Sequence, residues 1–286
     1  MRQVTPWLAV ALPLALSGAW TRPQAPHIQW RPNPPRQGSL ILLVSATPVQ
    51  GTLAGEPLHF EAAADGRFAA LAGIPIDAPD TVPLLVTIDS VEDTLPVPVA
   101  KRRTAREELR TAPQFTRPPD SALAARLERE RDLVRATFQG SHARPRLWSA
   151  PFRRPRTSRV RSSFGLAREF NDVVESRHLG VDFAGTRGAP VRAANRGVVA
   201  FVEELFYAGR TVYVDHGAGL LTAYMHLDRA LVAAGDTVER GQLIGRVGSS
   251  GRVTGPHLHW LARYGAVLVD PLALVTLDLT PLVSPP

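Results

Sequence analysis

The stretch "GPHLHW", residues 255–260, places two histidines one residue apart in a segment that reads as a strand. Side chains alternate across a strand, so His257 and His259 share one face while Leu258 points into the opposite layer. Outward from this stretch, "APVRAANRGVVAFVEE", "TVYVDHG", "LLTAYMHL" and "QLIGRVGSSG" are short strand-like runs separated by glycine turns. No strong helix signal interrupts them between Ser162 and about Leu274. The expectation is a mostly β chain whose C-terminal part is a compact antiparallel β-sandwich or barrel-sandwich.

The same region concentrates chemistry, because five of the eight histidines lie between residues 178 and 259. In "RHLGVD", His178 and Asp182 are four residues apart with Gly180 between them, so their side chains converge in either a helix or an extended segment. In "YMHL", Met225 and Leu227 flank His226 and are expected to face the core, leaving His226 to look over the same surface as Tyr224. Two histidines and one carboxylate suffice for a zinc site that leaves a fourth position for water or substrate. Such an ion acidifies water and polarises a carbonyl, which suits amide hydrolysis. The remaining histidines could act as general base or stabilise a tetrahedral oxyanion. Each piece alone is weak, since an isolated H-x-H is often structural. Together, on strands, they favour a metal.

The chain has no cysteine, which excludes thiolate metal sites, disulfides, cysteine nucleophiles and a lipoprotein anchor. His216 in "VDHGAG" and His59 in a front strand read as structural. Ser249 and Ser250 sit in a glycine-rich connection rather than in a nucleophile motif, and Asn171 either lines the groove or holds a loop. Hairpins such as "GDTVERGQLIGRVG" also resemble biotinyl or lipoyl carriers. Those attach their cofactor to a lysine, however, and the single lysine, Lys101, lies far outside this segment.

With 286 residues the chain has room for two modest domains. Residues 1–19, with Arg2, an apolar run from Trp7 to Leu16 and then Ser17-Gly18-Ala19, read as an export signal. That run is too short for a comfortable membrane span. Residues 20–100 read as a small Ig-like β-sandwich, because short apolar runs such as "SLILLVSA" and "VPLLVTI" alternate with turn signals. Residues 101–150 form a basic connector containing a helix over 121–139. Asp120 or Ser121 can cap the helix, Gly140 can end it, and Leu123, Leu127, Val134 and Phe138 supply a single apolar stripe for packing on a neighbouring domain. The second β region spans 151–275, followed by a tail over 276–286. The net charge of +7, almost wholly arginine, favours anionic surfaces such as cell wall. It is read as nonspecific attraction, with no nucleic-acid partner expected.

The order "HLGVD", "YMHL", "GPHLHW" resembles the lysostaphin and LytM type of zinc metalloendopeptidase, which cuts peptide bonds in peptidoglycan. The resemblance runs from about residue 160 to 274. It includes "SSFG", "GAPVRAANRGVV", "VDHGAGLLTAYMHL" and "GDTVERGQLIGRVGSSGRVTGPHLHW". It implies that residues 151–275 are the peptidase domain, that His178, Asp182 and His259 hold one Zn2+ per chain, and that His226 and His257 are the catalytic histidines outside the ligand set. It also implies an exported, periplasmic or cell-wall-associated monomer that acts on peptidoglycan peptides, with no stable membrane span once the signal is removed. A non-catalytic wall-binding module or activator is the alternative, although no position of the motif is missing.

Overall fold

The computed structural model describes residues 28–283, so the segment expected to be an export signal and the last residues of the tail lie outside it. Two four-stranded antiparallel sheets form the front of the chain. One orders Gln29–Arg31, Leu40–Ser45, Phe68–Gly73 and Glu61–Ala62; the other orders Glu56–Pro57, Gln50–Leu53, Thr81–Ile88 and Val91–Pro98. The run Leu40–Ser45 is buried along its whole length, which requires partners on both faces. Ile41 and Leu43 point inward to meet Ala70, Ala72, Leu84 and Val97. Leu40, Leu42 and Val44 point the other way and join Ala69 and Leu71 in the core of the second β region, beside Trp148, Phe152 and Phe164. One strand therefore serves two cores.

The second region is built on a large sheet whose central order is Val160–Ser162, Val181–Ala184, His257–Tyr264, Leu220–Met225, Gly209–Asp215 and Gly197–Leu205. Leu258, Trp260, Ala262 and Tyr264 project from one face of the central strand. They pack toward a smaller sheet of Pro190–Arg192, Leu243–Val247 and Leu227–Ala230, which contributes Val191, Ile244, Val247 and Leu227. The opposite face carries His257 and His259 and then Leu261, which joins Phe201, Tyr213, Leu221, Ala223 and Met225.

The helix Ser121–Ser141 covers that apolar end through Leu133, Val134 and Phe138. Asp120 caps it by accepting a hydrogen bond from Leu123 N at 2.8 Å. It continues past Gly140 to Ser141, whose hydroxyl donates to Asp215 Oδ1 at 2.6 Å. That tertiary bond outweighs the intrinsic tendency of glycine to stop a helix. No helix among the described residues is long and apolar enough to cross a membrane.

The basic connector is also structured. Its residues Arg106–Leu109 pair in parallel with Ala167–Phe170, which pairs antiparallel with Val174–Arg177. Arg106 is ion-paired with Glu169, and Thr111 N donates to Asn171 Oδ1 at 2.9 Å. Asn171 thus holds the loop against the connector.

Because Leu42 belongs to the core that joins the front sheet to the second region, Leu42→Ala should cost about 2–5 kcal/mol. Urea unfolding followed by near-UV circular dichroism should show one cooperative transition with a lowered midpoint. Two separated transitions would show that the shared core does not couple the halves.

Candidate active site

Strand register assembles the site. Across the ladder between Val181–Ala184 and His257–Tyr264, Asp182 lies opposite His259 and Ala184 opposite His257. Asp182 Oδ1 is 2.8 Å from His259 Nδ1 and 3.0 Å from His178 Nε2, and those two nitrogens are 3.0 Å apart. Donor atoms held 2.0–2.1 Å from a tetrahedral zinc ion are separated by roughly 3.3 Å, so this cluster has the spacing such an ion needs. His178 Nδ1 lies 2.8 Å from the Ser163 carbonyl, an arrangement in which the proton resides on Nδ1 and Nε2 is free to ligate. All three residues are buried. Gly180 is required by close approach, because a Cβ there would lie 2.4 Å from His259 Nε2.

Arg168 orients the carboxylate from behind. Its guanidinium donates to Asp182 Oδ2 at 2.6 Å, to Glu107 at 3.0 Å and to the Ser162 hydroxyl at 2.7 Å. Ser162 in turn donates to Glu107 at 2.8 Å. Burial alone would push the Asp182 carboxyl upward, but the hydrogen bonds and charges of His178 and His259 outweigh it and hold the group well below its usual range. Burial pushes His259 down to about 4, against the raising influence of Asp182.

His226 and His257 stand beside the cluster with ring centroids 5.0 Å apart. His257 Nδ1 lies 2.8 Å from the Gly255 carbonyl and His226 Nδ1 lies 2.9 Å from the Ser250 carbonyl. Each Nδ1–H is therefore engaged by backbone, and each Nε2 keeps its lone pair. His257 Nε2 is 3.6 Å from Asp182 Oδ1. Burial, followed by the proximity of His257 and His259, holds His226 well below its ordinary pKa.

The expected partition around His226 is corrected. Tyr224 is fully buried in the main core, where its hydroxyl accepts from Ala194 N at 2.7 Å, while Met225 lies on the histidine side opposite His259. Regular alternation would then send His226 into the core. A left-handed backbone at His226, with φ of 62°, breaks the alternation and turns the ring toward His257 and His259.

His216 is remote from this cluster. Its ring is fully buried between the Arg196 carbonyl at 2.7 Å and Thr222 Oγ1 at 2.8 Å. His59 pairs with His142 at 2.9 Å where the front sheets meet the helix end. The Ser250 hydroxyl accepts from Arg210 N at 2.8 Å and donates to the Leu227 carbonyl at 3.0 Å, so it fixes a loop.

Glu107, Arg168 and Arg252 line the groove with Leu109, Phe170, His226 and His257, and none of the three stood out in the sequence. Nothing in local spacing marks them. Glu107 reaches the site only through the parallel pairing of the connector strand.

The pattern of buried neutral imidazoles has a pH consequence. His216 titrates at about 4 when folded, because burial disfavours its cation, against an ordinary value of 6.5. A depressed histidine means that the unfolded chain binds more protons between those values, so stability is full above about 6.5 and falls as pH drops toward about 4. Urea midpoints of the metal-free protein should decline over this window. A flat profile would contradict the neutral, bonded state of these rings.

Residues 176–271 match the model of peptidase family M23. The chain is 48% identical over 83 residues to peptidoglycan DD-endopeptidase ShyA of Vibrio cholerae, covering 29% of this chain and 19% of that protein. It is 44% identical over 105 residues to DD-carboxypeptidase/endopeptidase Mpg of Neisseria meningitidis, covering 36% of this chain and 24% of that protein. The matches thus span a fifth to a quarter of these curated relatives. A crystal structure from Pseudomonas aeruginosa, provisionally assigned to peptidase M23, superposes with a TM-score of 0.66 at 28% identity, covering 85% of this chain and 95% of that one. That likeness extends into the front sheets. Residues 176–271 are therefore similar to peptidase family M23, and this region holds His178, Asp182, His226, His257 and His259 together.

Proposed function

We propose that the protein is an exported zinc metalloendopeptidase that hydrolyses peptide bonds in bacterial peptidoglycan. The observation that carries the reading is the convergence of His178 Nε2, Asp182 Oδ1 and His259 Nδ1 within 3.0 Å of one another, at a groove flanked by two more imidazoles. These three residues would hold one Zn2+, which when bound supplies Lewis acidity toward water and the scissile carbonyl. The relatives' activity on peptidoglycan supports the substrate class, and the apolar run Trp7 to Leu16 supports export.

The chain's own residues divide the remaining work. Arg168 fixes Asp182 through Oδ2 and leaves Oδ1 facing the two ligand nitrogens. His257, whose free Nε2 stands nearest that carboxylate, accepts a proton from the attacking water and returns it to the departing amine. His226, held neutral by burial, flanks His257 and orients the reacting groups. The connector strand Arg106–Leu109, held by its parallel pairing with Ala167–Phe170, contributes Glu107 and Leu109 to one wall of the groove. We read the protein as a monomer.

Digestion of purified peptidoglycan with mass analysis of the fragments tests the reading. The wild type should contain about one zinc and release peptide-cleaved fragments. His259→Ala should lose the metal and all hydrolysis. His257→Ala should keep the metal, measured by plasma mass spectrometry, and lose roughly 100- to 10,000-fold in kcat. A folded wild type that takes up no zinc at neutral pH would sink the proposal.

A further inference from the structure

Resting on the reading just given, we propose that Arg252 forms a carboxylate-binding subsite in the groove, so that the preferred peptides carry a free carboxylate near the cleaved bond. Arg252 lies in the loop between Ser250, whose carbonyl faces His226 Nδ1, and His257. Its guanidinium carbon is 4.2 Å from the ring centroid of Phe170 and 4.8 Å from that of Tyr207. Such packing fixes the plane of the cation and leaves its N–H edge available for a planar anion. The backbone is equally fixed: Arg252 N donates to the Tyr207 carbonyl at 2.8 Å, and a Cβ at Gly251 would lie 2.4 Å from Gly209 N.

Among the described residues, no carboxylate or carbonyl accepts a hydrogen bond from the Arg252 side chain. Arg168, the neighbouring groove cation, is satisfied by Glu107 and Asp182. Arg161 also lines the groove but is exposed. The two acidic groups on the groove are thus committed to Arg168, and Arg252 is a half-buried cation lacking a counter-charge. Burial, with Arg168 nearby, lowers its pKa despite the opposing influence of Tyr207. A positioned cation of this kind gains most when an anion arrives in the same partly desolvated space. A cation serving only as an aromatic pin would have no need to face the groove that holds His226 and His257.

The carboxylate has two possible sources in a cross-linked stem peptide, the chain end or a side chain. Three synthetic dimers separate them: one with all carboxylates free, one amidated at the chain end and one amidated at the side chains. Calorimetric titration of the metal-free full chain reads binding without turnover, and kcat/KM of the zinc-loaded enzyme reads selectivity. The wild type should favour the free acid about tenfold to a hundredfold over one of the two amides, which identifies the source. Arg252→Met should erase that preference, and Arg252→Lys should keep part of it. Equal binding of all three dimers by the wild type, or an Arg252→Met variant that retains the wild-type preference, overturns the subsite. Cleavage of acid and amide dimers at one rate sinks the subsite and leaves the peptidase reading standing. A binding preference without cleavage of any dimer does the reverse.

Discussion

Asp182 and His259 face each other across one rung of an antiparallel ladder, and the site depends on that register. Because side chains alternate strictly, a slip of one residue would move His257 and His259 into the core and Leu258 and Trp260 to the groove. The register is secured by the apolar face, where Leu258, Trp260, Ala262 and Tyr264 fill the layer beneath the histidines. Core packing and placement of the clustered His and Asp side chains are therefore a single constraint.

Burying a carboxylate beside two imidazoles is costly in isolation. The structure offsets the cost by giving each oxygen of Asp182 its own partners. Arg168 engages Oδ2, and Oδ1 faces His178 Nε2 and His259 Nδ1. Glu107 takes up the rest of the Arg168 charge, so the connector contributes to the electrostatics of the site as well as to its wall. His226, buried and bonded through Nδ1 to the Ser250 carbonyl, is held well below its ordinary pKa and adds no positive charge to compete for the same space.

Much of this was legible in the residues. The alternation in "GPHLHW", the short glycine-bounded strands and the four-residue spacing of His178 and Asp182 are local patterns, and local patterns survive in one dimension, whereas the joining of that pair to His259 rested on the family resemblance. The aim of His226 was not legible, because an inversion of backbone handedness at one residue has no hydrophobic period. The roles of Glu107, Arg168 and Arg252 were not legible either. Each acts through a partner brought close by strand pairing or a loop, and a connector rich in charge reads as a solvated linker. Nor was the double-sided burial of "SLILLVSA" legible, because the run reads as one strand of a small sandwich.

The parallel pairing of Arg106–Leu109 with Ala167–Phe170 sets an order of events during synthesis. The first strand leaves the ribosome about sixty residues ahead of its partner, as their numbering shows. It must wait unpaired while the helix Ser121–Ser141 forms by local contacts. Asp182 then waits a further 77 positions for His259. The cluster of imidazoles around Asp182 is thus among the last features the chain completes, and an interrupted translation product ending before residue 257 would lack both His257 and His259.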